Sequence, residues 1–282
     1  MVQKKKSDDK AAKKLLANKQ ILAQIMKNCV NEYVTLEPMS NFKWRRLFQL
    51  LESQKVESIA LRGIKNHQYD TNIHIPEQLI QALAANTVKE ETLTKDTPPT
   101  LSNRFLNRKL NKIRHDEYHS IDTSTDTLAL LDIILFNINH ILNYGISLRG
   151  ILELGKFLRT KGDKVDFVKL ETWLNALHIQ RIAQLQGSIL IEVFNFEQDE
   201  IPFVQEVERN SYALALRTLT HTEIDTSKEW HFRQSKAGFV QNNNVVLKRN
   251  LKRSIRYINY APIETTSSFL ANLGRSLSEI EE

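Results

Sequence analysis

The chain has 282 residues, enough for one large domain or two ordinary ones with a proper core. Hydrophobic residues at 41% and charged residues at 26% exclude disorder as the default reading, and eight glycines with six prolines are too few for a many-turned β-sandwich or barrel. The single cysteine, Cys29, excludes an internal disulfide and a cysteine-rich metal site, and predicts a reducing, cytoplasmic home. The net charge of +6 is uneven: residues 1–20 carry +5, residues 228–256 carry +7, and the rest sums to −6.

Residues 1–10 read as a basic tail. No apolar core of signal-peptide length follows the lysines, because Asn18, Lys19, Gln20, Gln24, Lys27 and Asn28 interrupt the stretch Leu15–Val34. No run of about 18 apolar residues occurs elsewhere, so no transmembrane segment is expected. Residues 11–97 read as an N-terminal helical region. Its first helix covers about Asp9–Val34, with Leu15, Leu16, Ile21, Leu22, Ile25 and Met26 on the apolar side. Pro38, Ser40 and Asn41 make a turn and N-cap for a helix from Phe42, with Phe42, Leu47, Leu50 and Leu51 at helical spacing. A short piece follows at Val56–Ile64, and Pro76 starts a helix through Leu79, Ile80, Leu83 and Ala84.

Residues 98–124 read as a linker or hinge with a basic helix. Pro98-Pro99 breaks any helix before it, and Asp122–Thr127 is a polar loop rich in capping residues. Between them, Leu101, Phe105, Leu106, Leu110 and Ile113 line one expected apolar face, surrounded by Arg104, Arg108, Lys109, Lys112 and Arg114.

Residues 125–282 read as a C-terminal helical domain. Leu128–Asn143 is nearly all apolar, which suits a central helix buried on most sides, and Gly145 ends it. Ser147 caps the next helix, with Leu148, Ile151, Leu152, Leu154, Phe157 and Leu158 as its buried stripe. Gly162 closes that helix, and Asp163 or Asp166 opens another through Leu177. Further helices are expected near Ile179–Phe194, Pro202–Leu219, Val245–Tyr260 and Ile263–Ile280, with a long polar loop over His221–Asn244. Short connections imply antiparallel neighbours, so the expected fold is all-α, an irregular multi-helix bundle.

The chain has no Walker loop, dinucleotide-binding glycine fingerprint, nucleophile elbow or HExxH zinc motif, and no cofactor is expected. Gly187-Ser188 followed by Asp199-Glu200 superficially resembles nucleotidyl-transfer grammar. Adjacent carboxylates point to opposite sides of a strand and cannot share one metal, and Gly187 lies inside a helical pattern. His115 and His119 are spaced i, i+4, but further metal ligands are not evident, and a solvated face is the expectation. His140 sits among apolar residues, where a hydrogen-bonded buried histidine is the default. Arg149 and Glu153 are spaced for a local ion pair; converging with His140, they would form a candidate pocket.

The late basic helix is the clearest electrostatic feature. Leu247, Leu251, Ile255 and Ile258 lie on one face, and Lys248, Arg249, Lys252, Arg253 and Arg256 occupy the others. No acidic residue occurs between Lys236 and Glu264. Phosphates, anionic lipid or a nucleic-acid backbone would suit those five cations; the alternative is a solubilising face packed on the body by its leucines.

Trp44-Arg45-Arg46-Leu47-Phe48-Gln49-Leu50-Leu51, Lys55–Ile59 and Ile75-Pro76-Glu77-Gln78-Leu79 resemble the opening of a bacterial nucleotidyltransferase family associated with surface-polysaccharide loci. Asn139-His140-Ile141-Leu142, Gly145–Leu154, Asp166–Leu177 and Glu200-Ile201-Pro202 resemble its helical C-terminal part. The likeness covers 41–85 and 125–260. The family's Leu-Lys-Gly segment and Asp-x-Asp metal motif match no position here, and residues 86–124 are too short to hold its catalytic core. The resemblance therefore implies a relative that kept the helical shell without the transferase. It would be an accessory, binding or regulatory protein with a possible protein partner. The alternative expectation is a protein that binds nucleic acid or another polyanion.

Overall fold

The structure is a computed structural model; it describes residues 38–67, 70, 72–90, 97–220, 230–235, 238–241 and 243–281. The expected basic tail at 1–10 and the helix over Asp9–Val34 lie outside the described residues. The fold is all-α, with eleven α-helices among the described residues. Its one β element there is an antiparallel ribbon, β1 (Trp230–Ser235) and β2 (Gly238–Gln241), pairing Trp230 with Gln241 and Ser235 with Gly238. The ribbon lies within the stretch read from sequence as a polar loop. Trp230 and Phe232 alternate there as strand formers do, and such a short ribbon leaves the fold class unchanged.

The chain divides into two compact units. Among the described residues, the first comprises those from 38 to 90 with Glu192–Asn195 and those from 212 to 220. It contains α1 (Asn41–Ser53), α2 (Glu57–Lys65) and α3 (Glu77–Glu90). Trp44, Leu51, Val56, Ala60, Ile64 and Leu83 are buried there, and Phe42, expected on the apolar side, is exposed. Helix α1 ends because Lys55 adopts a left-handed φ of 53°, which lets Val56 N–H reach the Leu51 carbonyl at 3.1 Å and Lys55 N–H reach Glu52 at 3.1 Å. This 6→1, 5→2 pair is the usual way to satisfy the last carbonyls of a helix.

The second unit holds the remainder. Its helices are α4 (Arg104–Tyr118), α5 (Thr125–Asn143), α6 (Leu148–Lys161), α7 (Phe167–Ala176), most of α8 (Gln180–Phe194), α10 (Asn243–Tyr257) and α11 (Pro262–Glu281). Helix α9 (Ser211–Thr220) falls almost wholly in the first unit, as does the last turn of α8, so the expected C-terminal domain over 125–282 is not one unit. The helix expected from Pro202 begins only at Ser211. Ile201, Phe203 and Val204 are instead buried in irregular backbone against Gly187, where an added Cβ would lie 2.3 Å from Val204 Cγ2.

Helix α5 is the centre of this unit. Leu130, Leu131, Ile134, Leu135 and Ile138 are fully buried on it. One polar knot sits among them: Asn137 Nδ2 donates to the Gly150 carbonyl at 2.9 Å and to Gln186 Oε1 at 3.0 Å, and Gln186 Nε2 donates to the Ile134 carbonyl at 3.3 Å. By length and composition α5 is apolar enough to cross a membrane, the one such helix among the described residues, and 56% of that stretch is buried inside the protein.

Within 98–124, read from sequence as a linker or hinge with a basic helix, the helix is present as α4 and is anchored at both ends. Asn103 caps α4 by accepting from Phe105 and Leu106 N–H at 3.0 and 3.1 Å. Glu264, at the start of α11 and 1% exposed, accepts from Ser102 N–H at 2.5 Å and Asn103 N–H at 3.1 Å. Arg114 donates to the Pro99 carbonyl at 2.8 Å and to Asp132 at 2.6 Å. Glu117 accepts from Ser124 N–H at 2.6 Å and pairs with Lys169 at 3.1 Å. Charge-assisted bonds at both ends of a short helix remove the freedom a hinge requires.

Candidate functional site

Helix α10 carries the five cations singled out in the sequence, and the structure separates them. Lys248 and Lys252 are exposed; Arg249, Arg253 and Arg256 are half-buried. Arg253 donates from Nη1 to the Asn143 carbonyl at the end of α5 and to Asn250 Oδ1 at 3.3 Å. The Arg256 guanidinium lies 6.0 Å from the ring centre of the buried Tyr257. Most of the apolar stripe does not pack inward: Leu247 is half-buried, but Leu251 is 44% exposed and Ile255 63%, with Ile258 also outside. Tyr257 holds the helix to the body instead. Leu251 and Ile255 therefore do not seat this helix on the body.

The candidate pocket residues have local partners. His140 is half-buried in the last turn of α5, with Nδ1 2.8 Å from the Gly145 carbonyl and its ring 5.2 Å from that of Tyr144. Arg149 Nε bonds Glu153 Oε1 at 2.9 Å along α6. These bonds shape the α5–α6 turn and its outer face. His119 Nδ1 lies 2.7 Å from the His115 carbonyl oxygen, which can only accept, and the two exposed rings stack at 4.2 Å. No group of three metal-capable side chains occurs among the described residues. Ser188 is a packing residue: its hydroxyl donates to the Gln184 carbonyl at 2.8 Å and accepts from Glu208 N–H at 3.0 Å.

Glu208 also lines a polar cleft of about 520 Å³ between the start of α8 and residues 205–210. Arg181 grips Glu208 with Nε at 2.7 Å and Nη2 at 3.1 Å, and Nη1 reaches the Asn259 carbonyl at 3.2 Å. Its guanidinium stands 5.1 Å from the Tyr260 ring. The Glu208 hydrogen bond raises the Arg181 pKa against the opposing effect of burial, and burial followed by the Glu208 charge raises that of Tyr260. The Arg181 charge is already committed to Glu208, which leaves the exposed Arg209 as the cleft's other cation. Nothing in the linear sequence brings residues 181, 208 and 260 together.

A row of open cations lies on α4. Its buried side is Leu106, Leu110 and Glu117. Arg104, Arg108 and Lys112 are exposed at i, i+4 and i+8, with Lys109 and both stacked histidines on the same side. Among the described residues no ion pair uses Arg104, Arg108 or Lys112. Lys109 Nζ approaches the Ala176 carbonyl at 3.4 Å, and Asp116 is the one exposed acid on this face. Phe105, expected in the apolar stripe, is 73% exposed among these cations, with the Arg108 guanidinium 6.0 Å from its ring centre. The sequence signal is the five basic residues from 104 to 114, equal in number to those on α10 but without the acid-free flanks of that helix.

Fold and surface together define an all-helical protein with a rigidly held basic helix. No family model matches the chain, and neither a curated protein nor a solved structure matches it significantly.

Proposed function

We propose that this chain binds a polyanion through the exposed arc of α4, with Lys248 and Lys252 on α10 as a further cationic point. The observation that carries this reading is the set Arg104, Arg108 and Lys112, exposed on one side of an anchored helix and engaged in no ion pair among the described residues. A body that is mildly acidic elsewhere gains little from placing unpaired cations together, whereas a phosphate or sulfate chain releases counterions from several of them at once. A cytoplasmic location, expected from the single cysteine, belongs to the same proposal.

Retention of the full chain on immobilised heparin tests this. Elution at moderate salt is expected, and Arg104→Gln, Arg108→Gln and Lys112→Gln together should shift elution to lower salt more than Lys248→Gln with Lys252→Gln. Passage of the unmodified chain through the column at low salt would refute the proposal.

A second reading follows from the family-like segments: an accessory relative of the nucleotidyltransferases without their catalytic core, acting through a protein partner. The observation favouring it is positional. The described residues 97–124, between the two family-like stretches, form α4 and its capped loop, bonded directly to α5 through Arg114 and Asp132. Incubation with labelled nucleotides and magnesium tests it, and robust transfer sensitive to mutation would contradict it.

A further inference from the structure

We infer that the polyanion held by α4 is a single-stranded nucleic acid, with phosphates on Arg104, Arg108 and Lys112 and a base stacked on Phe105. This deepens the polyanion reading and rests on it. Three features of one helix face carry it. The three cations follow one another about 6 Å apart along the helix axis, the rise of four residues. They form a row that a flexible backbone can track. Phe105 stands beside that row, 73% exposed, and Lys109 lies one turn further on its side. A phenylalanine left in solvent contributes nothing to the core, yet it gives a base a flat apolar partner. The stacked rings of His115 and His119, 4.2 Å apart, add a second flat surface about three to four turns along.

The site is also held in shape. Asn103 and Glu264 fix the start of α4, and Arg114 and Glu117 fix its later turns. A ligand therefore pays little to order the helix. The chemistry separates possible occupants. A duplex keeps its bases stacked on each other, so Phe105 would have nothing to receive. An anionic membrane would be met by several aliphatic side chains beside the cations, but the row Arg104, Arg108 and Lys112 has none among them: Leu106 and Leu110 face inward and Ile113 is half-buried on the far side.

Fluorescence anisotropy with labelled oligothymidylate and oligouridylate, using the full chain at low salt, tests this inference. Phe105→Leu should weaken binding at least about fivefold, the scale of losing one stacked base, while heparin retention is unchanged. Phe105→Trp should restore affinity, and oligonucleotide should quench its added fluorescence. Because Phe105 is exposed, neither substitution disturbs the fold. If Phe105→Leu binds oligonucleotide like the unmodified chain, or a duplex of equal length binds as tightly, the inference is overturned although the polyanion reading stands. If Phe105→Leu weakens binding to phosphatidylserine vesicles as much as to oligonucleotide, the occupant is a membrane and the inference likewise fails. If the unmodified chain binds neither heparin nor oligonucleotide, both readings fall together.

Discussion

Asn137 donates to the Gly150 carbonyl at 2.9 Å, and its Oδ1 fills the space that a Cβ on residue 150 would need, only 1.9 Å away. The close approach of α5 and α6 at the core depends on that missing side chain. Gly150→Ala should therefore push the carboxamide off both Gly150 and Gln186, destabilising the protein by about 2–4 kcal/mol, the range for overpacking combined with an unpaired buried amide. Urea unfolding followed by circular dichroism measures this. A change below about 0.5 kcal/mol would show that the helices separate without cost.

Glu264 ties the first turn of α11 to the first turn of α4 through two backbone N–H groups. Glu264→Ala leaves both part-buried donors without that partner and should cost about 1–2 kcal/mol. Hydrogen exchange at Ser102 and Asn103 should accelerate selectively. Oligonucleotide affinity should also fall, because the Arg104–Lys112 row then sits on a frayed helix.

Arg159 holds Glu200 with bonds of 2.7 and 3.2 Å, and its guanidinium lies 3.9 Å from the Phe196 ring centre. Burial raises the Glu200 pKa, but the Arg159 hydrogen bond, the Glu197 N–H and the Arg159 charge together outweigh it and hold the carboxyl below its ordinary 4.5. A depressed carboxyl contributes stability that is fully present above its unfolded value and is lost as pH falls through the folded one. The stability difference between the unmodified chain and Glu200→Gln should thus be largest near neutral pH and shrink below about pH 4.5, as read from denaturation midpoints across pH. A difference independent of pH would mean that the ion pair contributes nothing.

The all-helical class was legible because helical spacing is written into Leu128–Ile141 and Leu148–Leu158, and caps such as Ser147 and Asp166 stand where sequence rules place them. Some helix ends were not. His178, like Lys55, takes a left-handed φ, with Ile179 N–H bonded to the Leu174 carbonyl, and neither residue is the glycine such a position favours. Periodicity also cannot decide between two overlapping stripes. Phe105 and Leu106 are neighbours, and only Leu106 is buried; on α10 the inward residue is Tyr257 rather than Leu251 or Ile255. The anchoring of α4 by Glu264, 162 residues away from Ser102, is a tertiary fact with no local trace.

The claim at the centre of this account is that α4 supplies the cations that neutralise phosphate. The salt dependence of oligothymidylate affinity measures it directly, since each neutralised phosphate contributes about 0.7 to the slope of log K against log salt. Replacing Arg104, Arg108 and Lys112 together by glutamine should flatten that slope by about 2. A slope unchanged by the triple replacement, in a protein that still binds, would place the ligand elsewhere and contradict the account.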